Sequence, residues 1–341
     1  MPNPYTGLKG AYSGLFHPMT GEPPHEQSGY FTLAVTAKGA YSGKLLLNGG
    51  VFSISGTLGL DLSARKTVLR RGTNEIYVGL QLAAGSDQVT GYVSNAFWVS
   101  ELFGYRAAFN ARTNPATNQL GKYTMLLSGG SNAAANPLGL GSASLAVASS
   151  GSVTIKGTLA DGSPGAQKGA LAANGQLPVY VNLYRGKGSL FGWISFTNTV
   201  TNDIPGLLLW TKKDGVVGNF YPGGFTNEVL SLASRYSPPA KGIAVLGFRN
   251  SVLILDGGNL SSPVTNDVFL STLNKITVTS SNTSKLALAA NSSSRLLSGS
   301  FVHPQTLKKS TIKGVALQKQ NLGGGFFLGT NQSGSVFFGI P

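Results

Sequence analysis

Four aromatic residues in the middle of the chain, Trp210, Tyr221, Phe225 and Tyr236, stand among three cations, Lys212, Lys213 and Arg235. Aromatic faces beside cationic side chains can stack on sugar rings or bases while pairing with acidic groups. That chemistry suits a glycan, above all an acidic one. The same rings could instead fill the core of a sheet. Trp210 and Tyr221 are the better ligand candidates. Trp193 stands where Tyr92 and Phe326 stand in a repeated hairpin, and so reads as core. A second constellation, Glu22, His25 and Glu26, puts imidazole and carboxylate within five loop residues around Pro23 and Pro24. Those are metal-ligand types, but the grouping is loose. We expect no metal and no cofactor.

Catalytic motifs are sparse. The chain has no G-x-S-x-G elbow and no H-E-x-x-H. Ser63-Ala64-Arg65-Lys66 matches S-x-x-K without the companion motifs of a penicillin-binding site. Gly186-Lys187-Gly188-Ser189 looks like a phosphate loop but has no helix signal behind it. His17 and His303 each precede a proline and read as strand-end residues. Paired acids for glycoside hydrolysis would have to come from Glu75, Asp87, Glu101, Asp203, Glu228 and Asp267. Without cysteine there is no disulfide, thiolate site or thiol nucleophile.

The elements that must position these residues are strands. In Tyr30–Thr36, Phe31, Leu33 and Val35 share one face; Tyr41, Gly43, Leu45 and Leu47 continue the pattern, then Phe52, Ile54, Gly56, Leu58 and Leu60. Large residues on one face and small polar ones on the other mark a half-buried antiparallel sheet. Asn48-Gly49, Asp161-Gly162, Asn174-Gly175, Asp214-Gly215 and Asp256-Gly257 read as hairpin turns. One hairpin recurs: Ile76–Leu80 with Gly91–Asn95, Val179–Leu183 with Gly192–Phe196, and Ile312–Leu317 with Gly325–Leu328. Recurrence of a supersecondary unit identifies an architecture rather than a chemistry.

A shorter repeat pairs Ser28–Val35 with Gly141–Val147, followed by Ser42-Gly43-Lys44-Leu45 and Lys156-Gly157-Thr158-Leu159. Ser13–Thr20 parallels Ser298–Thr306 across the two ends. We therefore expect one all-β domain over 1–341, a large antiparallel barrel, closed or nearly closed, built from three unequal hairpin repeats. The repeats are read at 1–130, 131–265 and 266–341, the last completed by the N-terminal strands. Closure removes exposed sheet edges.

The bulk numbers fit such a protein. Of 341 residues 41% are hydrophobic and only 11% charged, against about 25% charged in ordinary soluble domains. With 26 basic and 12 acidic residues the formal charge is +14, which favours anionic partners. No stretch of 18 apolar residues predicts a transmembrane helix. The start, Met1-Pro2-Asn3-Pro4-Tyr5, lacks the basic and apolar regions of a signal peptide, so an exported form would begin after a removed leader.

Gln27–Phe31, Gly192–Asn198, Gly314–Asn321 and Gly329–Gly334 carry a resemblance to exported, glycine-rich β-repeat proteins of bacteria. It implies export, an extracellular or cell-surface location and an all-β fold, and carries no site residue. Three readings stand: a non-enzymatic surface module that binds a glycan or serves as a structural element, an outer-membrane β-barrel pore, and a polysaccharide-active enzyme using loop carboxylates. Nucleic acid is the weaker polyanion, since no reading motif is present.

Overall fold

The computed structural model describes residues 3–132, 134–218 and 220–341. They form three sheets of eight antiparallel strands. The first holds β1 (Gly10–His17), β2 (Gly29–Val35), β3 (Ala40–Leu47), β4 (Gly50–Thr57), β5 (Ser63–Val68), β6 (Ile76–Leu82), β7 (Gln88–Ser94) and β8 (Val99–Arg106). The second holds β9 (Gly121–Leu127), β10 (Gly141–Val147), β11 (Ser152–Thr158), β12 (Pro164–Ala170), β13 (Gln176–Leu183), β14 (Gly188–Ser195), β15 (Gly206–Lys212) and β16 (Phe225–Tyr236). The third holds β17 (Asn250–Gly257), β18 (Val264–Leu270), β19 (Ile276–Val278), β20 (Ala287–Ala290), β21 (Leu296–Val302), β22 (Lys309–Leu317), β23 (Leu322–Leu328) and β24 (Ser333–Gly339). Among the described residues no α-helix occurs.

In its own strand count the order is 4-3-2-1-8-7-6-5 in the first two sheets and 3-2-1-8-7-6-5-4 in the third. The first strand pairs with both the second and the eighth, as in Leu15 opposite Tyr30 and Phe103. The wall thus closes except at a seam, between strands four and five in barrels 1 and 2 and between strands three and four in barrel 3, where a lone Lys275–Ala289 bridge crosses it. The nearly closed antiparallel barrel expected from the sequence therefore forms three times. The recurring hairpins fall one in each barrel, at β6–β7, β13–β14 and β22–β23. The expected completion of the last unit by N-terminal strands is not what the ladders show. β1 pairs with β2 and β8, and β24 pairs with β17 and β23. The similar segments at the two ends are β1 and β21, strands that both run into a proline turn without meeting.

The alternation read from sequence sets inside and outside. Phe31, Leu33, Val35, Tyr41, Leu45, Leu47, Ile54 and Leu58 all enter the core of barrel 1; Leu60 does not, being 84% exposed in the β4–β5 turn. Gly14 faces Gly104 across two strands, and a Cβ on Gly14 would lie 2.6 Å from the Phe31 ring. Glycine there lets one large ring fill the barrel. Barrel 2 keeps only a cavity of about 40 Å³, lined by Met125, Leu127, Val179, Leu190 and Ile194 among others, room for a water or two. These interiors are packed and apolar, while the outer walls carry Ser, Thr and Lys. A membrane barrel needs the reverse, an apolar outer belt around a polar lumen.

Outer faces also join the barrels. Leu15 and Tyr30 of barrel 1 pack with Tyr180 and Phe191 of barrel 2, flanked by Leu46 and Trp193. Leu126 of barrel 2 packs with Val315 and Leu317 of barrel 3, flanked by Leu140, Leu232 and Leu322.

Candidate functional site

The seven residues singled out by type do not converge on one site. Trp210, at the end of β15, is 2% exposed inside barrel 2. Its Nε1 donates to Tyr184 Oη at 3.0 Å, and Tyr184 donates to Asp161 Oδ2 at 2.5 Å. Phe225 meets Trp210 edge-on at 4.9 Å, and Tyr221 meets Phe225 at 5.6 Å. Lys212 is buried under the same cluster, donating to the Phe220 carbonyl and lying 5.4 Å over the Tyr184 ring. Burial and the Asp161 charge push the Tyr184 hydroxyl far up, and burial lowers Lys212. Tyr221 Oη accepts from the Ser333 amide at 2.9 Å, latching barrel 2 to barrel 3. Tyr236 is buried in the barrel 3 core and donates to the Ser292 carbonyl. Arg235 donates to the Leu120 carbonyl, and Lys213 pairs with Glu26. A stacking platform needs an open ring face; these four rings offer none, with exposures of 2–9%.

The Glu22–Glu26 loop is a clasp between barrels 1 and 2. His25 is buried, its Nε2–H donating to the Gly186 carbonyl at 2.9 Å and its Nδ1 meeting Ser189 Oγ at 3.0 Å. Both ring nitrogens are thus occupied, Glu26 is held by Lys213, and Glu22 points to solvent. The phosphate-loop look-alike Gly186–Ser189 is the β13–β14 hairpin tip that grips His25. His303 donates from Nε2 to the Gly258 carbonyl at 3.0 Å, a buried strand-end role. Of the six acids read as loop candidates, Glu101, Glu228 and Asp267 lie instead on strands β8, β16 and β18, while Asp87 pairs with Arg106, Asp203 with Lys319, and Glu75 accepts from Tyr77.

Trp193 is not core. It lies half-buried on the outer face of barrel 2, edge-on to Phe103 at 6.2 Å and Tyr105 at 5.7 Å of barrel 1. The reason is parity. In each recurring hairpin the glycine faces inward, so the aromatic after it faces outward. Phe326 is seated against the barrel 2 core, whereas Tyr92 lies over Gly79 and stays 36% exposed.

Among the grooves that the outer faces form at the junctions, two are lined by hydroxyls and lysines. The larger, about 830 Å³, lies between the β1–β4 wall and β12. Strand register sets its floor: Ser13 is opposite Thr32, Thr32 opposite Lys44, and Lys44 opposite Ser53. At the spacing of neighbouring strands this row runs roughly 14 Å. Ser42 and Ser55 form a second pair beside it, and Lys168 comes from barrel 2. The smaller groove, about 530 Å³, repeats the plan between barrels 2 and 3. Ser144 is opposite Lys156 on one wall, and Ser298 opposite Lys313 on the other. No carboxylate lines either groove. Such a surface offers hydroxyl donors and acceptors with two ammonium groups, and holds no general base or nucleophile pair.

These lysines were not among the site residues read from sequence, although a signal existed. Lys44 and Lys156 both flank the glycine of the repeated Gly-x-Leu segment. With that glycine facing inward, each lysine must face out.

No protein-family model matches the chain, and no curated protein matches it. Among solved structures, the isotype 1 transferrin binding protein B from serogroup B Neisseria meningitidis is similar over 91% of this chain, at 13% identity and a TM-score of 0.22. This chain spans 65% of the length of that one. A mutant of the vaccine antigen transferrin binding protein B from Haemophilus parasuis is similar over 97% of this chain and 75% of its own, at 9% identity and a TM-score of 0.25. At such scores the functional reading rests on the geometry above.

Proposed function

We propose that this protein is a non-enzymatic module of the cell surface or extracellular space whose inter-barrel grooves bind an acidic glycan. The observation that carries the reading is the row Ser13–Thr32–Lys44–Ser53 facing Lys168, with no carboxylate in its lining. Hydroxyls match the hydroxyls of a sugar chain, and the lysines select for its carboxylates or sulfates. An acidic ligand is favoured over a neutral one because the groove has no free ring to stack on: its tyrosines, Tyr12 and Tyr30, are 2% and 8% exposed. The packed interior of barrel 2, with a cavity of about 40 Å³, leaves no room for a ligand of that size, which supports a site on the outside.

The test is titration calorimetry with a uronic-acid or sulfated oligosaccharide. Each exposed lysine contributes on the order of 0.2–1 kcal/mol, so the Lys44→Ala/Lys168→Ala double variant should bind about tenfold more weakly. Unchanged affinity in that variant, or no ligand on a glycan array that includes acidic polysaccharides, would remove the reading and leave a structural element.

A further inference from the structure

Building on the glycan reading of the grooves, we infer that the two grooves form one track. A single long acidic polysaccharide then crosses the outer wall of barrel 2 and occupies both at once. The wall between the grooves is made by β10, β11 and β12, and its register brings their lysines together. Lys168, which lines the first groove, is opposite Thr154. Lys156, which lines the second, is opposite Ala166. Residues two apart on a strand share a face. Lys156 and Lys168 are therefore diagonal neighbours across β11 and β12, about 7–8 Å apart at the backbone. Both are exposed, as is Ala166, and Thr154 is half-buried.

The two rows continue onto β10, where Ser144 is opposite Lys156 and Ala146 opposite Thr154. Small side chains beside the lysines let a polymer lie flat on this wall. At one end the path enters the first groove at Lys44, and at the other it enters the second at Lys313. Beyond Lys313, Thr311 and Lys309 keep the same outward, exposed face along β22. The cations thus follow one another as Lys44, Lys168, Lys156, Lys313 and Lys309.

The charge along this path is of one sign. Strands β1–β4, β10–β12, β21 and β22 contain no acidic residue. The loops that join them within each barrel hold three, Glu22, Glu26 and Asp161. Glu26 is paired with Lys213, and Asp161 accepts from Tyr184 and Ser163. None of the three lines either groove. Each groove alone offers two lysines and binds weakly. A ligand that reaches both gains on the order of 10²–10⁴-fold from effective concentration, without any new contact.

Titration calorimetry with two probes of one sulfated series, a disaccharide and a dodecasaccharide, tests this. The disaccharide should bind weakly, with two copies per chain. The dodecasaccharide should bind as one copy per chain and on the order of 100-fold more tightly. Lys44→Glu and Lys313→Glu change different grooves. Each should weaken the dodecasaccharide about tenfold, with wild-type circular dichroism, and each should disturb only one of the two disaccharide sites. Should either glutamate disturb the wall, Lys44→Ala and Lys313→Ala keep the test open, each weakening the dodecasaccharide about threefold. Two dodecasaccharides per chain, a gain below about tenfold, or full affinity in the variant of either groove would overturn the track and leave two separate sites. No binding of either probe would overturn the track together with the groove reading beneath it.

Discussion

Tyr180 shows how a residue's job follows from which way its strand turns it. It sits on β13, faces away from its own barrel, and is buried to 5% exposure against Leu15 and Tyr30. Burial raises its pKa from 10.0 to about 12, the Asn48 backbone opposing this less, and no aligned hydrogen bond reaches its Oη. The folded-state value lies above the unfolded one. Its contribution is therefore whole below pH 10 and is lost as the pH rises through about 12. A shift of that size amounts to about 2.7 kcal/mol. Tyr180→Phe should cost little at neutral pH, because it removes an unpaired buried hydroxyl. Urea unfolding at a series of alkaline pH values should show a shallower loss between pH 10 and 12 for the variant than for wild type. Parallel curves would mean that Tyr180 is not held neutral by this junction. Strand parity likewise decides the place of Trp210, which is core rather than a binding platform. It shares a strand face with the inward Leu208, so the alternation already put it inside. Residue type alone suggested a binding platform.

At the scale of elements, the recurring hairpin yields one fold unit and three fates for its outward aromatic. Phe326 is 1% exposed in the barrel 2–3 junction, while Tyr92 remains partly open. Phe326→Ala should destabilise by about 3–5 kcal/mol and speed amide exchange in β9, β22 and β23. Tyr92→Ala, which strips only a ring lying on Gly79, should cost at most about 1 kcal/mol in the isolated chain. Chemical denaturation with exchange mass spectrometry compares them. Equal costs would show that the two aromatics do the same structural work and that the junction assignment fails. Strand faces and turns were readable because period-two alternation and Asn-Gly pairs are local signals. Partnering was not. Leu15 pairs with Phe103, far along the chain, and alternation says which way a side chain points without saying which strand lies beside it. Three similar closed rings and one large one therefore leave the same local trace.

For the whole molecule, the barrel interiors are filled and charge is unevenly distributed along the chain. Barrel 1, over 10–106, has seven basic and six acidic residues, whereas barrel 3, over 250–339, has seven and two. The positive field thus strengthens along the chain and is nearly unopposed at the second groove. Exposed charges are screened beyond about 8 Å at physiological salt and about 3 Å at 1 M. Binding of an acidic glycan should accordingly weaken steeply between those two conditions, read by calorimetry, and a salt-independent affinity would point to an uncharged ligand. The excess of lysine and arginine was plain from composition. Its convergence on two grooves was not, because the facing lysines come from different barrels: Lys44 with Lys168, and Lys156 with Lys313.

The most direct measurement is a backbone-amide NMR titration with an acidic oligosaccharide. Shifts should cluster at Thr32, Lys44, Ser53 and Lys168, with a second set at Ser144, Lys156 and Lys313, and Trp210 and Phe225 should stay silent. Shifts centred on Tyr184, Trp210 and Phe225, or a spectrum unmoved at saturating ligand, would contradict it.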